Sequence, residues 1–309
     1  MKNALIIGGT RNLGPDLVTA LLERDWRVTV LNRGQTPGEL PAQVERLRAD
    51  RSDEQMLAGA LGERSFDLAV DTTLYNGTDA RIISRLLQGR VGRYVFWSTG
   101  QVYLVKAVSG ERSAGSRAWR EEDYDGPLMP EPEPGYDRDQ WRYGVEKRDA
   151  EDVLRAALER SGFPYVALRM PMINSRRDHY GRLAWYAERL RAGEPVPAPD
   201  GRGPLRHVYG DDVIDATLRS ADAGVRAGTC LNISQDDTLT LEDMLGILAG
   251  TLRVPLRVDR SAAEGGPWSS TWMSVIDNTR SKEVLGMTYR APQEYVPMLI
   301  KDGAIKTAQ

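Results

Sequence analysis

Residues 3–14 constrain the fold of this chain more than any other stretch. They read Asn-Ala-Leu-Ile-Ile-Gly-Gly-Thr-Arg-Asn-Leu-Gly: an apolar run from Ala4 to Ile7, then Gly8, Gly9 and Gly14, then a helical pattern from near Leu13. That is a strand, a tight turn and a helix. Glycine lets the backbone turn sharply and come close to a phosphate group, and the free N–H groups that open a helix hold its negative charge.

The alternation continues down the first half of the chain. Apolar runs at 27–31, 44–48, 67–71 and 94–98 read as strands, with helical patterns at about 13–24, 53–61 and 78–89 between them. Strands that alternate with helices form a parallel sheet covered on both faces. The expected fold is therefore α/β, a Rossmann-type doubly wound parallel sheet, with a smaller C-terminal domain intergrown with it. Ligands of such sheets bind outside the carboxyl ends of the strands, where Gly8, Asn32, Thr72 and Thr99 fall.

A second motif lies far downstream. Tyr143-Gly144-Val145-Glu146-Lys147 opens a segment in which Val145, Ala150, Val153, Leu154, Ala157 and Leu158 recur at helical spacing. Tyr143 and Lys147 are thus one turn apart on one helix face. An ammonium beside a phenol favours the phenolate, so this tyrosine is expected to exchange protons nearer neutrality than its free pKa of about 10.

Between the two motifs, residues 105–140 lose periodicity and carry Pro, Gly, Ser and Glu in loop proportions. A loop of that length ending at Tyr143 reads as a flap over the site or as a solvated insertion. Beyond the Tyr-Lys helix come a buried strand at 165–169 and a helical segment carrying Trp185, Tyr186 and Leu190. A proline-rich crossing at 195–204, a helix at 211–221, a strand at 230–233 and a capped helix from Thr240 to Leu252 follow. The expected division places 1–170 and 206–236 in the dinucleotide-binding domain, and 171–205 and 237–309 in the substrate domain.

Composition narrows the partners. A net charge of −3 and a pI near 5.7 leave no basic footprint for nucleic acid or an anionic membrane. No apolar run reaches spanning length and residues 1–7 lead straight into the fold, so the expectation is a cytoplasmic protein without a signal peptide. Cys230, the single cysteine, sits between Thr229 and Leu231 in what reads as a buried strand. The two histidines, His179 and His207, lack neighbours at ligand spacing, and no metal site is expected.

On these residues the chain resembles the extended short-chain dehydrogenase/reductase superfamily, the NAD-dependent epimerase/dehydratase group, from residue 1 to about 250. Gly8 and Gly14 match the outer glycines of the Gly-x-x-Gly-x-x-Gly signature, while Arg11 replaces the middle one. Gly-Gly-Thr-Arg followed two residues later by Gly also occurs in a subgroup of these proteins. The resemblance implies that Gly8, Thr10, Arg11, Asn12, Leu13 and Gly14 cradle a nicotinamide dinucleotide. Asn32-Arg33 stands where an acidic residue would accept the adenosine ribose. With Arg11 nearby, this favours NADP over NAD, unless both arginines are merely solvated. Asp50-Arg51 resembles the acidic position that contacts the adenine, and Thr72 and Ser98 complete the expected cofactor contacts.

Family members carry Ser-Ser or Ser-Thr, two further residues, then Val-Tyr. Here the run is Ser98-Thr99-Gly100-Gln101-Val102-Tyr103, which puts Thr99 at the catalytic position and Ser98 second. The mechanism implied has Thr99 hydrogen-bond the substrate oxygen, Tyr143 exchange its proton, and Lys147 both lower the tyrosine pKa and bind the nicotinamide ribose. Dehydratases of this group place Asp-Glu after the catalytic threonine; Gly100-Gln101 stands there instead, which disfavours elimination of water. Nucleotide-sugar epimerases carry an asparagine where Arg169-Met170-Pro171-Met172 puts Met172, which points to a less polar substrate. Gln101, Met172, His179, Arg182 and Trp185 are the candidate substrate contacts.

The expected function is an NADP(H)-dependent oxidoreductase that interconverts a secondary alcohol and a ketone on a small or medium organic substrate. An epimerase using the same hydride transfer is the alternative. A third reading, a cofactor sensor or RNA-associated protein, comes from a chloroplast RNA-binding branch of the Gly-Gly-Thr-Arg subgroup, and the presence of both Tyr143 and Lys147 weighs against it. Relatives often dimerise through a four-helix contact that includes the Tyr-Lys helix, so a homodimer is compatible with the resemblance.

Overall fold

The structure, a computed structural model, describes all residues except 37–39, 107–116, 200–203, 223, 274 and 304–309. Parts of the expected 105–140 loop and of the proline-rich crossing thus lie outside the described residues.

The first half alternates as β1 (Asn3–Ile7), α1 (Gly14–Leu22), β2 (Arg27–Asn32), β3 (Glu45–Arg48), α2 (Glu54–Leu61), β4 (Phe66–Asp71), α3 (Gly77–Leu86) and β5 (Val91–Thr99). A one-turn helix α4 (Gln101–Leu104) leads through a 3-10 turn (Glu121–Tyr124) to the long α5 (Tyr136–Ser161) and then β6 (Tyr165–Met170). The rest comprises β7 (Ile173–Asn174), α6 (Arg182–Arg191), β8 (Val196–Pro197), β9 (Val208–Tyr209), α7 (Gly210–Arg219), β10 (Thr229–Asn232), α8 (Leu241–Leu252), β11 (Val258–Asp259), α9 (Thr279–Leu285) and α10 (Pro292–Lys301).

Seven strands form one parallel sheet in the order β10-β6-β5-β4-β1-β2-β3. The order reverses between β1 and β4, which opens a crevice at their carboxyl ends. Pairing of Ile7 with both Leu31 and Asp71, and of Thr99 with Met170, brings the ends of five strands level with that crevice.

Both faces of the central strands are covered, which is why they read as continuous apolar runs, whereas the edge strand β3, Glu-Arg-Leu-Arg, is largely exposed. On one face Ile6, Val30, Val70, Val95 and Leu168 pack against Leu17 and Val18 of α1 and Val213 of α7. On the other, Leu5, Ile7, Ala69, Phe96 and Ala167 meet Ile83 of α3 and Ala150, Leu154 and Ala157 of α5. A third core joins Tyr186 and Leu190 of α6, Leu245 and Leu248 of α8, Trp268, and Tyr295 and Leu299 of α10.

Two expectations change. Helix α5 begins at Tyr136 rather than Tyr143, so residues 136–140 of the stretch read as aperiodic are helical. The described part of that stretch is also anchored rather than a free flap. Trp119 bridges Ile276 and stacks on Tyr103 at 5.8 Å between ring centroids. Buried Tyr124 is sandwiched by guanidinium groups, with Arg148 3.9 Å and Arg169 4.4 Å from its ring centre.

Candidate active site

The glycine turn follows β1 at the crevice. Gly8 has φ +98°, and a Cβ there would meet Thr72 Oγ1 at 2.3 Å; a Cβ on Gly14 would fall 2.5 Å from the Gly9 backbone. Thr72 holds the turn in place, its hydroxyl donating to Ile7 O at 3.0 Å and accepting from Gly9 N at 3.4 Å. Asn32 acts similarly, donating to Gly8 O at 3.3 Å and accepting from Gly34 N at 2.8 Å. Helix α1 opens without a side-chain cap beside the exposed Arg11, but Gly14 N donates to Arg11 O at 2.9 Å and Pro15 carries no N–H, so the first two helical positions offer no donor. Leu13 is buried beneath the turn, Thr10 half-buried, and Asn12 sits at φ +49° with its Oδ1 accepting from His179 N at 3.1 Å. The cradle fits the approach of a dinucleotide phosphate, because side chains are absent there and the Arg11 guanidinium lies exposed beside it; the N–H groups of Gly8 and Gly9 are spent on Leu31 O and Thr72 Oγ1.

Arg33 lies exposed just past β2, close enough to Asp50 to favour its ionised form, and Asp50 accepts from both N and Oγ of Ser52. Arg48, at the end of β3, flanks the same rim: its guanidinium lies about 3.0 Å from where a Gly34 Cβ would stand. The sequence reading missed Arg48, because only the parallel register with Asn32 brings it there.

Two expected cofactor contacts have other partners. Arg51 is drawn into the fold, bonding both carboxylate oxygens of buried Asp71 at 2.8 Å and Thr73 Oγ1 at 3.1 Å, and pairing with Asp79 at 3.1 Å. Despite burial, Asp71 is held below the ordinary carboxylate range by Arg51 and by the Tyr94 hydroxyl donating at 2.6 Å. Ser98 points away from the crevice, because successive strand side chains alternate faces. Its hydroxyl donates to Glu151 at 2.5 Å, within the buried Glu151–Arg169 pair.

Thr99, at the end of β5, is on the crevice side and 8% exposed. Its hydroxyl accepts from Gln101 N at 3.2 Å and pulls the Tyr143 phenol toward ionisation. The expected action of Lys147 on that phenol is not what the structure shows. Burial pushes the Tyr143 pKa above its ordinary value, the Tyr75 and Tyr180 phenols add to the rise, and the compensating pull comes from Thr99. Lys147 instead donates to Leu74 O at 2.8 Å and Trp97 O at 2.7 Å, with Phe96 4.4 Å and Tyr75 5.3 Å from its ammonium. Burial, opposed by Asp71 and Glu151, brings Lys147 down to about 7.

Around this pair, Gln101 is buried and donates through Nε2 to Gln140 Oε1 at 2.7 Å. Tyr75, half-exposed, lies 6.3 Å from Tyr143 between ring centres. Neither Tyr75 nor Gln140 was singled out from the sequence; the first lies in an unpatterned loop and the second in the part of α5 read as loop. His179 and Tyr180 are exposed on a segment tied to the glycine turn, and Arg182 pairs with Asp178 and stacks 4.2 Å over Tyr180. Met172 packs against the third core. Trp185 belongs to that core too, edge-on to Tyr186 at 4.9 Å and under Arg189 at 4.5 Å, so its ring is occupied by packing.

The model of the NAD dependent epimerase/dehydratase family matches residues 4–234. The chain belongs to that family. Within it, the chain is 24% identical over 261 residues, 79% of its own length, to the chloroplast stem-loop binding protein of 41 kDa b of Arabidopsis thaliana. It is also 24% identical over 213 residues, 67% of its length, to the 2'-dehydrokanamycin reductase of Streptomyces kanamyceticus. The chain spans 61% and 54% of the lengths of these curated relatives. Among solved structures it is similar to a UDP-glucose 4-epimerase from Thermotoga maritima, with a TM-score of 0.77 at 20% identity, over 97% of this chain and 98% of that one. Epimerase/dehydratase proteins thus share its fold, and among the described residues no helix is long and apolar enough to cross a membrane.

Proposed function

We propose that this family member is an NADP(H)-dependent oxidoreductase that interconverts a secondary alcohol and a ketone on a small or medium organic substrate. The observation that carries the reading is the meeting of Thr99, Tyr143 and Lys147 beside an unblocked glycine cradle at the point where strand order reverses. The cofactor, when bound, supplies or accepts the hydride. Gly8, Gly9 and Gly14 leave room for its phosphates, and Arg33, Arg48 and Arg11 offer guanidinium groups for a ribose phosphate. Thr99 Oγ1 donates to the substrate oxygen and orients it. In reduction, Tyr143 gives its phenolic proton to that oxygen; in oxidation it takes the proton back. Lys147 spends two of its three ammonium protons on Leu74 O and Trp97 O, and the third would be left to bind a ribose hydroxyl.

The reductase named among the relatives supports the single-pass reading. An epimerase is the second reading, because the same three residues serve it and the family and the Thermotoga maritima structure carry that name. Stem-loop binding is not carried over from the Arabidopsis relative, since a net charge of −3 gives no overall attraction to nucleic acid.

Parallel fluorescence titrations with NADPH and NADH, followed by turnover of the wild type and Tyr143→Phe, test this. NADPH should bind at least about tenfold more tightly than NADH, worth ~1.4 kcal/mol. Tyr143→Phe should lower kcat by roughly 10²–10⁴ while leaving NADPH affinity intact. Net change in nicotinamide absorbance marks single-pass redox, and product without such change marks epimerisation. Binding of neither nucleotide would overturn both readings.

A further inference from the structure

Beside the catalytic hydroxyls lies a buried polar atom without a partner among the described residues. Gln101 is 9% exposed, its backbone N–H donates to Thr99 Oγ1, and its side-chain Nε2 is taken by Gln140, which leaves Oε1 buried and unpaired. An unpaired buried carbonyl is costly, so its persistence in a functional cleft calls for a donor from outside the fold. Gln140 precedes Tyr143 by three residues and therefore shares its face of α5, so the amide pair is aimed along the same side as the reacting phenol.

The walls of the mouth supply a second constraint. Tyr75 is 48% and Tyr180 68% exposed, they come from separate segments, and both act on the Tyr143 phenol. Exposed tyrosine faces suit the C–H face of a ring. On the segment that carries Tyr180, the guanidinium groups of Arg177 and Arg182 are already paired with Asp16 and Asp178, which leaves them less able to take up a diphosphate.

We propose that Gln101 is a specificity-determining residue, whose free amide oxygen accepts a hydrogen bond from a hydroxyl next to the reacting carbonyl of a ring substrate resting on Tyr75, since Arg182 already lies over the ring of Tyr180. The substrate class is a hydroxylated cyclic ketone, or its alcohol, carrying no nucleotide diphosphate. This rests on the oxidoreductase reading but is testable apart from it.

The test compares 2-hydroxycyclohexanone with cyclohexanone, by NADPH-dependent turnover and by calorimetric binding to the NADPH-loaded protein, with UDP-glucose as a third probe. Wild type should prefer the hydroxyketone by about tenfold or more in kcat/KM, because a site built for a hydroxyl rejects the analogue that lacks it. Gln101→Leu should erase that preference, Gln101→Glu, which keeps an acceptor, should retain it, and Tyr75→Ala should weaken binding of both ketones several-fold. Preferential binding without turnover, erased by Gln101→Leu, would sink the oxidoreductase reading and leave this one standing. Equal binding of the ketones, binding of neither, a preference that survives Gln101→Leu, or tighter binding of UDP-glucose would overturn it.

Discussion

Lys147 shows how far a single residue's environment departs from its motif. The Tyr-x-x-x-Lys spacing placed the lysine correctly, but spacing says nothing of what else the ammonium meets. Held by two backbone carbonyls among apolar rings, it has a folded pKa near 7 against an ordinary 10.5. Between those values the unfolded chain binds the proton and the folded chain does not, so this group adds stability as pH rises from 7 and withdraws it as pH falls. From pH 7 to 9, cofactor-free wild type should gain about 2 kcal/mol relative to Lys147→Met. Thermal melts at the two pH values check it, and parallel curves would show that the lysine is not titrating in that range. Ser98 and Arg51 meet partners that the sequence did not announce, for a related reason. Their partners, Glu151 and Asp71, lie 53 and 20 residues away, and no local pattern announces such a pairing.

At the scale of elements, the alternation of strand and helix was legible because strands buried on both faces are uninterrupted apolar runs. The start of α5 was not. Tyr136, Asp137, Arg138 and Asp139 carry no apolar stripe, since this end of the helix is largely exposed, and helical periodicity appears only where a core imposes it. The contact that sets Tyr143 against Thr99 lies further along α5, where buried Gly144 meets α4. A Cβ on Gly144 would fall 2.5 Å from Val105 Cγ1 and 2.9 Å from Gln101 O. Gly144→Ala must therefore push α5 off α4 and move Tyr143 relative to Thr99. A shift near 1 Å is enough to cost on the order of 10²-fold in kcat. NADPH affinity should hold, because the glycine cradle belongs to other elements. An unchanged kcat, or equal losses of kcat and nucleotide affinity, would contradict the idea that this helix contact positions the tyrosine.

For the whole molecule, the sequence conveyed one sheet and a second region but not how the C-terminal segment is tied to the rest. That tie is a buried chain of side chains from four distant places. Tyr295 of α10 donates to Gln235 at 3.0 Å and accepts from Asn174 of β7 at 3.1 Å, and Asn174 also meets His207 Nδ1 at 3.0 Å. Such a chain requires a neutral imidazole, because a donor already faces Nδ1. Burial, with Arg182 adding to it, pushes the His207 pKa down to about 3. The unfolded chain titrates near 6.5, so the stability this group provides is complete above that value and declines as pH falls toward 3. At pH 5 the loss should amount to about 2 kcal/mol. His207→Gln offers an amide oxygen to Asn174 but does not titrate, so its melting temperature should fall less between pH 6.5 and 5 than that of wild type, whatever its absolute value. Trp268, 5.7 Å from the imidazole, gives an intrinsic fluorescence signal at the junction itself. If wild type and variant lose stability in parallel over that interval, the acid sensitivity resides in the carboxylate pairs of the sheet and not in the joint between its edge and the C-terminal helix.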